Sequence, residues 1–166
     1  MRNGRMVLHV DDDPAMRHLV ERQLAVAGMN VMGIGQPLGA IDALVESQCR
    51  VVILDVDMPD MNGLELLAQI KRFDGGIQVI MLTGLVSMDT VLESMRRGAE
   101  ACLFKPLQDV AELISALEAA FQKADRWWDA LADLNQRRAA QRTGPGSDRS
   151  APLEFSTHDC HHARSK

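Results

Sequence analysis

Five short apolar runs constrain what this chain can fold into more than any other feature. They are MVLHV (residues 6–10), NVMGI (30–34), VVIL (51–54), QVIML (78–82) and ACLF (101–104). Several are nearly unbroken in Val, Ile and Leu, the composition of strands covered on both faces. Helical patterns separate them. In 14–27, Met16, Leu19, Val20, Leu24 and Ala27 fall on one face, and Gly28 stands where a left-handed C-terminal cap belongs. Pro37 opens the second pattern. In 63–73 the stripe is Leu66, Leu67, Ile70 and Phe73, followed by Gly75 and Gly76. In 88–97 it is Val91, Leu92 and Met95, with Ser87 as the N-cap and Gly98 as the stop. Five strand–helix alternations predict an α/β fold, a doubly wound five-stranded parallel sheet with right-handed crossovers.

The last helical pattern is longer than such a sheet needs. From Leu107 to about Arg142, positions Leu107, Val110, Ile114, Leu117, Phe121, Ala124, Trp128, Leu131 and Asn135 are spaced alternately by three and four. A continuous helix over that stretch would run about 54 Å at 1.5 Å per residue. Its first half is expected to pack on the sheet. Its second half carries Trp127, Trp128, Leu131 and Leu134, and indoles left in water are costly. A partner helix or a homodimer contact is therefore expected there. Residues 143–166 lose periodicity and gain Gly, Pro and Ser, the composition of a disordered tail. The expected organisation is a domain over 1–121, a helical extension over 122–142 and a tail over 143–166. The HDCHH stretch (158–162) has metal-ligand residue types but no second spaced cluster, and accidental composition is the simpler account.

Composition narrows the function. A net charge of −5 argues against a general nucleic-acid binder, which needs a basic face. No apolar stretch approaches the ~20 residues of a membrane span, and the N-terminal apolar run is too short for a secretory signal. Cys49, Cys102 and Cys160 are scattered and odd in number, so a reducing cytoplasm is the expected compartment.

In open parallel sheets the binding site lies beyond the carboxyl ends of the strands, so the residue after each run matters most. The first run ends in Asp11, Asp12 and Asp13; the third in Asp55; the fourth in Thr83; the fifth in Lys105. Clustered carboxylates can share a hard divalent cation such as Mg²⁺. A carboxylate beside it can attack a phosphoryl group, while a hydroxyl and an ammonium bind the phosphoryl oxygens. Singly, each residue reads as an ordinary turn or loop group. All four strand ends carrying the right group together is the signal. Asp13 separates from the cluster. It precedes Pro14, the favoured first helical residue, and reads as the N-cap of the first helix.

Residues 5 to about 121 resemble the response-regulator receiver (CheY-like) domain of two-component signalling, which has a flavodoxin-like fold. VDDDPAMR resembles its acidic-pair motif and LDVDMPDMNG its phosphorylation motif; LTG resembles its Ser/Thr switch and FKP its Lys-Pro. The resemblance implies that Asp55 accepts a phosphoryl group from a histidine kinase or phosphotransfer protein. Asp11 and Asp12 would hold Mg²⁺ with Asp55 and the backbone carbonyl of Asp57. Thr83 would move onto the phosphoryl group, Lys105 would pair with it, and the Lys105–Pro106 bond would be cis. The output would be a shifted conformation read by a downstream protein, with no DNA-binding domain in this chain.

Two departures stand out. The family's usual aromatic three positions before the lysine is replaced by Cys102, which puts the usual aromatic switch in doubt. Asp57 adds a carboxylate two residues past the nucleophile. Two further readings compete. DVDMP is also similar to the Asp-x-Asp motif of haloacid-dehalogenase-type phosphatases, although here the acidic pair precedes the nucleophile and no cap domain is present. An adaptor independent of phosphorylation is the other, and the intact site residues count against it.

Overall fold

The computed structural model describes residues 5–142; the expected tail at 143–166, with Cys160 and HDCHH, lies outside the described residues. The chain divides into two units, Met1–Leu131 and Ala132–Lys166. The first carries the sheet. In the second, residues 132–141 are helical and exposed, with Asp133 and Arg137 paired at 2.8 Å.

The strands are β1 (Met6–Val10), β2 (Asn30–Ile34), β3 (Val51–Leu54), β4 (Gln78–Thr83) and β5 (Ala101–Phe104). Their order across the sheet is β2-β1-β3-β4-β5, all parallel. The helices are α1 (Pro14–Val26), α2 (Ala40–Ser47), α3 (Gly63–Phe73), α4 (Met88–Arg96) and α5 (Val110–Arg142). Pro37 opens a 3-10 turn, Pro37–Gly39, that leads into α2.

The unbroken apolar runs have a simple cause. Alternate side chains of each strand enter separate cores on the two faces. Leu8, Val10, Val52, Leu54, Val79 and Met81 pack with Leu44 of α2 and Leu66, Leu67 and Ile70 of α3. Val7, Val51, Ile53, Ile80 and Leu82 pack with Val20 and Leu24 of α1 and Leu113, Leu117 and Ala120 of α5. Side chains start the helices as expected. Asp13 accepts the Ala15 N–H at 2.8 Å and Ser87 the Thr90 N–H at 3.1 Å. Gly28 and Gly98 take positive φ just past the ends of α1 and α4.

The helix faces differ from the expected stripes in α1, α3, α4 and α5. Leu19 and Phe73 are about half exposed rather than core. In α4 the buried residues are Thr90 and Ser94, whereas Met95 of the expected stripe is 66% exposed. Their hydroxyls bond locally: Ser94 Oγ donates to the Thr90 carbonyl at 2.7 Å, and Thr90 Oγ1 lies 2.8 Å from Ser87 Oγ. A small polar face can then be buried without orphaned groups. In α5 the buried line is Leu113, Leu117, Ala120 and Ala124, so the expected seam sits at the edge of the true core face. The helix begins at Val110, not Leu107, with Asp109 accepting the Ala111 N–H at 2.8 Å.

Candidate functional site

The sheet order explains the site. It reverses between β1 and β3, which makes Asp11 and Asp55 lateral neighbours at the carboxyl edge. Backbone bonding continues one residue past each strand and fixes them there. Asp11 N–H donates to the Ile34 carbonyl at 3.2 Å and Asp55 N–H to the Val10 carbonyl at 3.0 Å. Lys105 follows β5 and is tied by its N–H to the Thr83 carbonyl at 2.9 Å. It stands two strand spacings from β3, about 10 Å, a gap only a long side chain bridges. Its ammonium lies 2.6 Å from Asp11 Oδ2 and 3.2 Å from Asp55 Oδ2. The peptide bond that follows, Lys105–Pro106, is cis.

Asp11, Asp12 and Asp55 each offer one carboxylate oxygen within 4.8 Å of the others. Asp11 and Asp55 are buried and Asp12 is exposed, so the group opens to solvent on the Asp12 side. Oxygen donors at this spacing, all carboxylates, suit a hard divalent cation such as Mg²⁺. The two buried carboxylates are tuned in opposite directions. Burial pushes Asp11 up, but charged and backbone partners outweigh it and hold its pKa at about 2. Lys105 and the Asp13 N–H at 2.9 Å are the close ones; His9 Nε2, at 3.6 Å, is an ion-pair distance rather than a hydrogen bond. Burial raises the pKa of Asp55, and the Asp11 charge adds to that. Lys105 and the Val56 N–H, 2.8 Å from Asp55 Oδ1, only partly offset it.

Two glycine contacts shape the surroundings. Gly63 begins α3 with its N–H on the Val56 carbonyl at 2.8 Å, and a Cβ there would sit 1.9 Å from the Asp55 carbonyl oxygen. Only glycine lets α3 approach the Asp55 backbone this closely. Arg17 of α1 lies along Gly33 and Gly35 and donates to the Asp11 carbonyl.

Of the residues singled out by sequence, Asp11, Asp12, Asp55 and Lys105 converge. Thr83 ends β4 fully buried, and its Oγ1 accepts the Leu85 N–H at 3.0 Å. The Asp57 side chain is exposed. Cys102 is half-buried, and burial pushes its thiol pKa up despite a hydrogen bond with Ser94. That is the environment of an unreactive thiol. His9 and Arg17 escaped the sequence reading. His9 left one signal, as the sole polar residue in the MVLHV run.

Comparison with known proteins agrees with this fold. The family model described as "Response regulator receiver domain" matches residues 7–118. The DNA-binding transcriptional regulator NtrC of Escherichia coli K12 is 32% identical over 139 residues, 84% of this chain but 28% of that protein. The chain spans between about a quarter and a half of the curated relatives it matches first. Among solved structures, a CheY-like receiver domain protein from Methanospirillum hungatei JF-1 superposes with a TM-score of 0.68 at 25% identity, covering 75% of this chain and 99% of that one. The beryllofluoride-activated NtrC4 receiver domain dimer gives 0.67 at 28% identity, covering 72% and 98%. A family match running from β1 into α5, on a five-stranded sheet of the same fold, is membership and not mere likeness. This chain belongs to the response-regulator receiver family of bacterial two-component signalling.

Proposed function

We propose that Asp55 is the phosphoryl acceptor of this receiver, loaded from the phosphohistidine of a histidine kinase or phosphotransfer protein. The observation that carries this reading is the Lys105 ammonium bridging Asp11 and Asp55 beside the three-carboxylate group. In the transfer an Asp55 oxygen forms the new P–O bond as the P–N bond to the donor imidazole breaks. Val56 N–H holds Oδ1 of Asp55, which leaves Oδ2 on the Lys105 side. Lys105 then neutralises charge on the transferred group, and Thr83 reaches it once Oγ1 leaves the Leu85 N–H. Asp11, Asp12 and Asp55, with the Asp57 backbone carbonyl, would hold Mg²⁺. A bound Mg²⁺ supplies the positive charge that lets a phosphoryl group approach clustered carboxylates.

Residues 1–121 are the signalling module and act by a population shift, not by turnover of a substrate. A cytoplasmic location is the one consistent with the receiver family; separately, among the described residues no helix is long and apolar enough to cross a membrane. The signal leaves through contact with a downstream protein, through a homodimer along α5, or both. Trp127 is 59% exposed, and Leu131 is half exposed one turn on. Trp128 is partly covered by its own chain, with the Arg50 guanidinium 3.3 Å above its ring. That leftover apolar surface supports an α5 contact, and the dimeric state of the activated NtrC4 receiver supports a homodimer.

The test is acetyl phosphate or beryllofluoride with Mg²⁺, read by NMR and by molar mass in solution. Wild type should change state and Asp55→Asn should not. An equal response from Asp55→Asn would remove Asp55 from its role.

A further inference from the structure

His9 has no part in the chemistry described so far, yet among the described residues its buried ring leaves both nitrogens without a hydrogen-bond partner. It lies mid-strand in β1, paired laterally with Gly33 and Ile53. It is fully buried. Buried polar groups are nearly always satisfied, and one that is not calls for a reason. An apolar residue would continue the Val7 row without that cost.

The neighbour supplies the reason. Residues two apart on a strand share a face, so His9 and Asp11 point the same way. Nε2 stands 3.6 Å from Asp11 Oδ2, too far for a hydrogen bond and close enough to become one with a small shift. That oxygen is at present held by Lys105 at 2.6 Å, while Oδ1 is held by the Asp13 N–H. The Lys105 ammonium is shared with Asp55 Oδ2, 3.2 Å away. When a phosphoryl group is carried on Asp55, its oxygens draw the ammonium toward Asp55 and away from Asp11. Asp11 Oδ2 would then be a buried anion short of a donor, just when its position matters most.

We propose that His9 is a positioning residue that takes over Asp11 Oδ2 as Lys105 turns to the phosphoryl group. The inference rests on the phosphoryl-acceptor reading of Asp55. The neutral ring suffices, in the tautomer with its proton on Nε2. The unpartnered nitrogen of the resting state is thus a donor held in reserve. Its bond to Asp11 keeps that carboxylate aimed while the ammonium is elsewhere. Groups that orient ligands in this way typically change metal affinity or activity 10- to 100-fold when removed.

Two variants and one spectrum test this. His9→Leu keeps an apolar side chain in the strand and removes the donor; His9→Gln places an amide N–H near the Nε2 position. His9→Leu should be at least as stable as wild type in divalent-free buffer, because it removes an unsatisfied buried group. It should still lose about 10-fold or more in acetyl-phosphate labelling with Mg²⁺, while its Mg²⁺ affinity measured calorimetrically without any phosphodonor stays that of wild type, because Lys105 still holds Asp11 there. His9→Gln should recover most of the labelling. A purely structural role would link labelling to stability and predict no such split. In wild type, the ¹⁵N and proton signals of His9 Nε2 should move on adding beryllofluoride with Mg²⁺, which decides the matter even if His9→Leu does not fold. Wild-type labelling by His9→Leu, or unmoved His9 Nε2 signals in a protein that does respond, overturns the role of His9 alone. A wild-type protein that neither labels nor responds to beryllofluoride overturns the acceptor reading, and this inference with it.

Discussion

Replacing Gly63 with alanine is the most direct probe of how the fold holds the site. The new Cβ would lie 1.9 Å from the Asp55 carbonyl oxygen and 2.8 Å from Val56 Cα, both backbone atoms that cannot rotate aside. Ordinary contact needs about 3.4 Å or more, so α3 and the end of β3 must separate by roughly 1.5 Å. Leu66, Leu67 and Ile70 of α3 are fully buried and would be dragged off their packing. Overpacking of this kind costs about 1–3 kcal/mol. The strained Gly63 N–H to Val56 carbonyl bond adds about 1 kcal/mol. The lower entropy of unfolded alanine returns about 0.4–1 kcal/mol. The net loss should be about 2–3 kcal/mol, read as a lower midpoint in urea at unchanged slope. Because Asp55 itself is displaced, acetyl-phosphate labelling should fall by more than the unfolded fraction explains. A misplacement near 1 Å can cost about 100-fold. Gly39→Ala is the internal control. A Cβ at Gly39 meets nothing within 4 Å, and its φ of −86° suits alanine, so that variant should be neutral or stabilising. If Gly63→Ala unfolds and labels like Gly39→Ala, the close approach of α3 to Asp55 is not what holds the site.

Three further outcomes follow from the electrostatics and the caps. The folded pKa of Asp11 is depressed to about 2, so its contribution is present above the ordinary carboxylate pKa and lost as pH falls through that lower value. Asp11→Asn should therefore be less stable than wild type near neutrality, and urea melts should show the gap closing toward pH 2. Asp55 is the reverse case. Its folded pKa is raised, so its contribution is present below the ordinary value and lost as pH rises through the folded one. Asp55→Asn should therefore melt higher than wild type in neutral, divalent-free buffer, with the advantage vanishing in acid; a lower neutral melting point would contradict the burial argument. Asp13→Ala should cost about 1 kcal/mol from the lost α1 cap and leave acetyl-phosphate labelling near normal, separating it from its two acidic neighbours.

Most of the sheet was legible because its two cores share every strand. β1 and β3, buried along nearly their whole length, leave no alternation to misread, and β1, β2, β3 and β5 all match the apolar runs residue for residue. The site was legible for the same reason. A parallel sheet sends every strand's carboxyl end to one edge, which turns four separate residues in the chain into neighbours. Sequence alone could not supply the strand order. The adjacency of β1 and β3 is what makes Asp11 and Asp55 a pair, and the β4 strand between makes the length of Lys105 necessary.

The misreadings fall where apolar residues do not mark the buried face. In α4, periodicity selected Val91, Leu92 and Met95, yet the helix turns Thr90 and Ser94 inward and leaves Met88 and Met95 outside. Hydroxyls bonded within their own helix cost little to bury, but they also bring little apolar area to the core. The attachments of α4 are correspondingly polar. Arg97, at its C-cap, donates to the Leu64 carbonyl of α3 at 2.8 Å and to Glu93 at 2.7 Å. The same economy explains Cys102. β5 presents a small thiol that meets the Ser94 hydroxyl of the buried α4 face. The substitution that looked like a missing switch part is thus one half of a local pairing, small side chain against small helix face. The other half lies in a helix whose hydrophobic pattern points away from it.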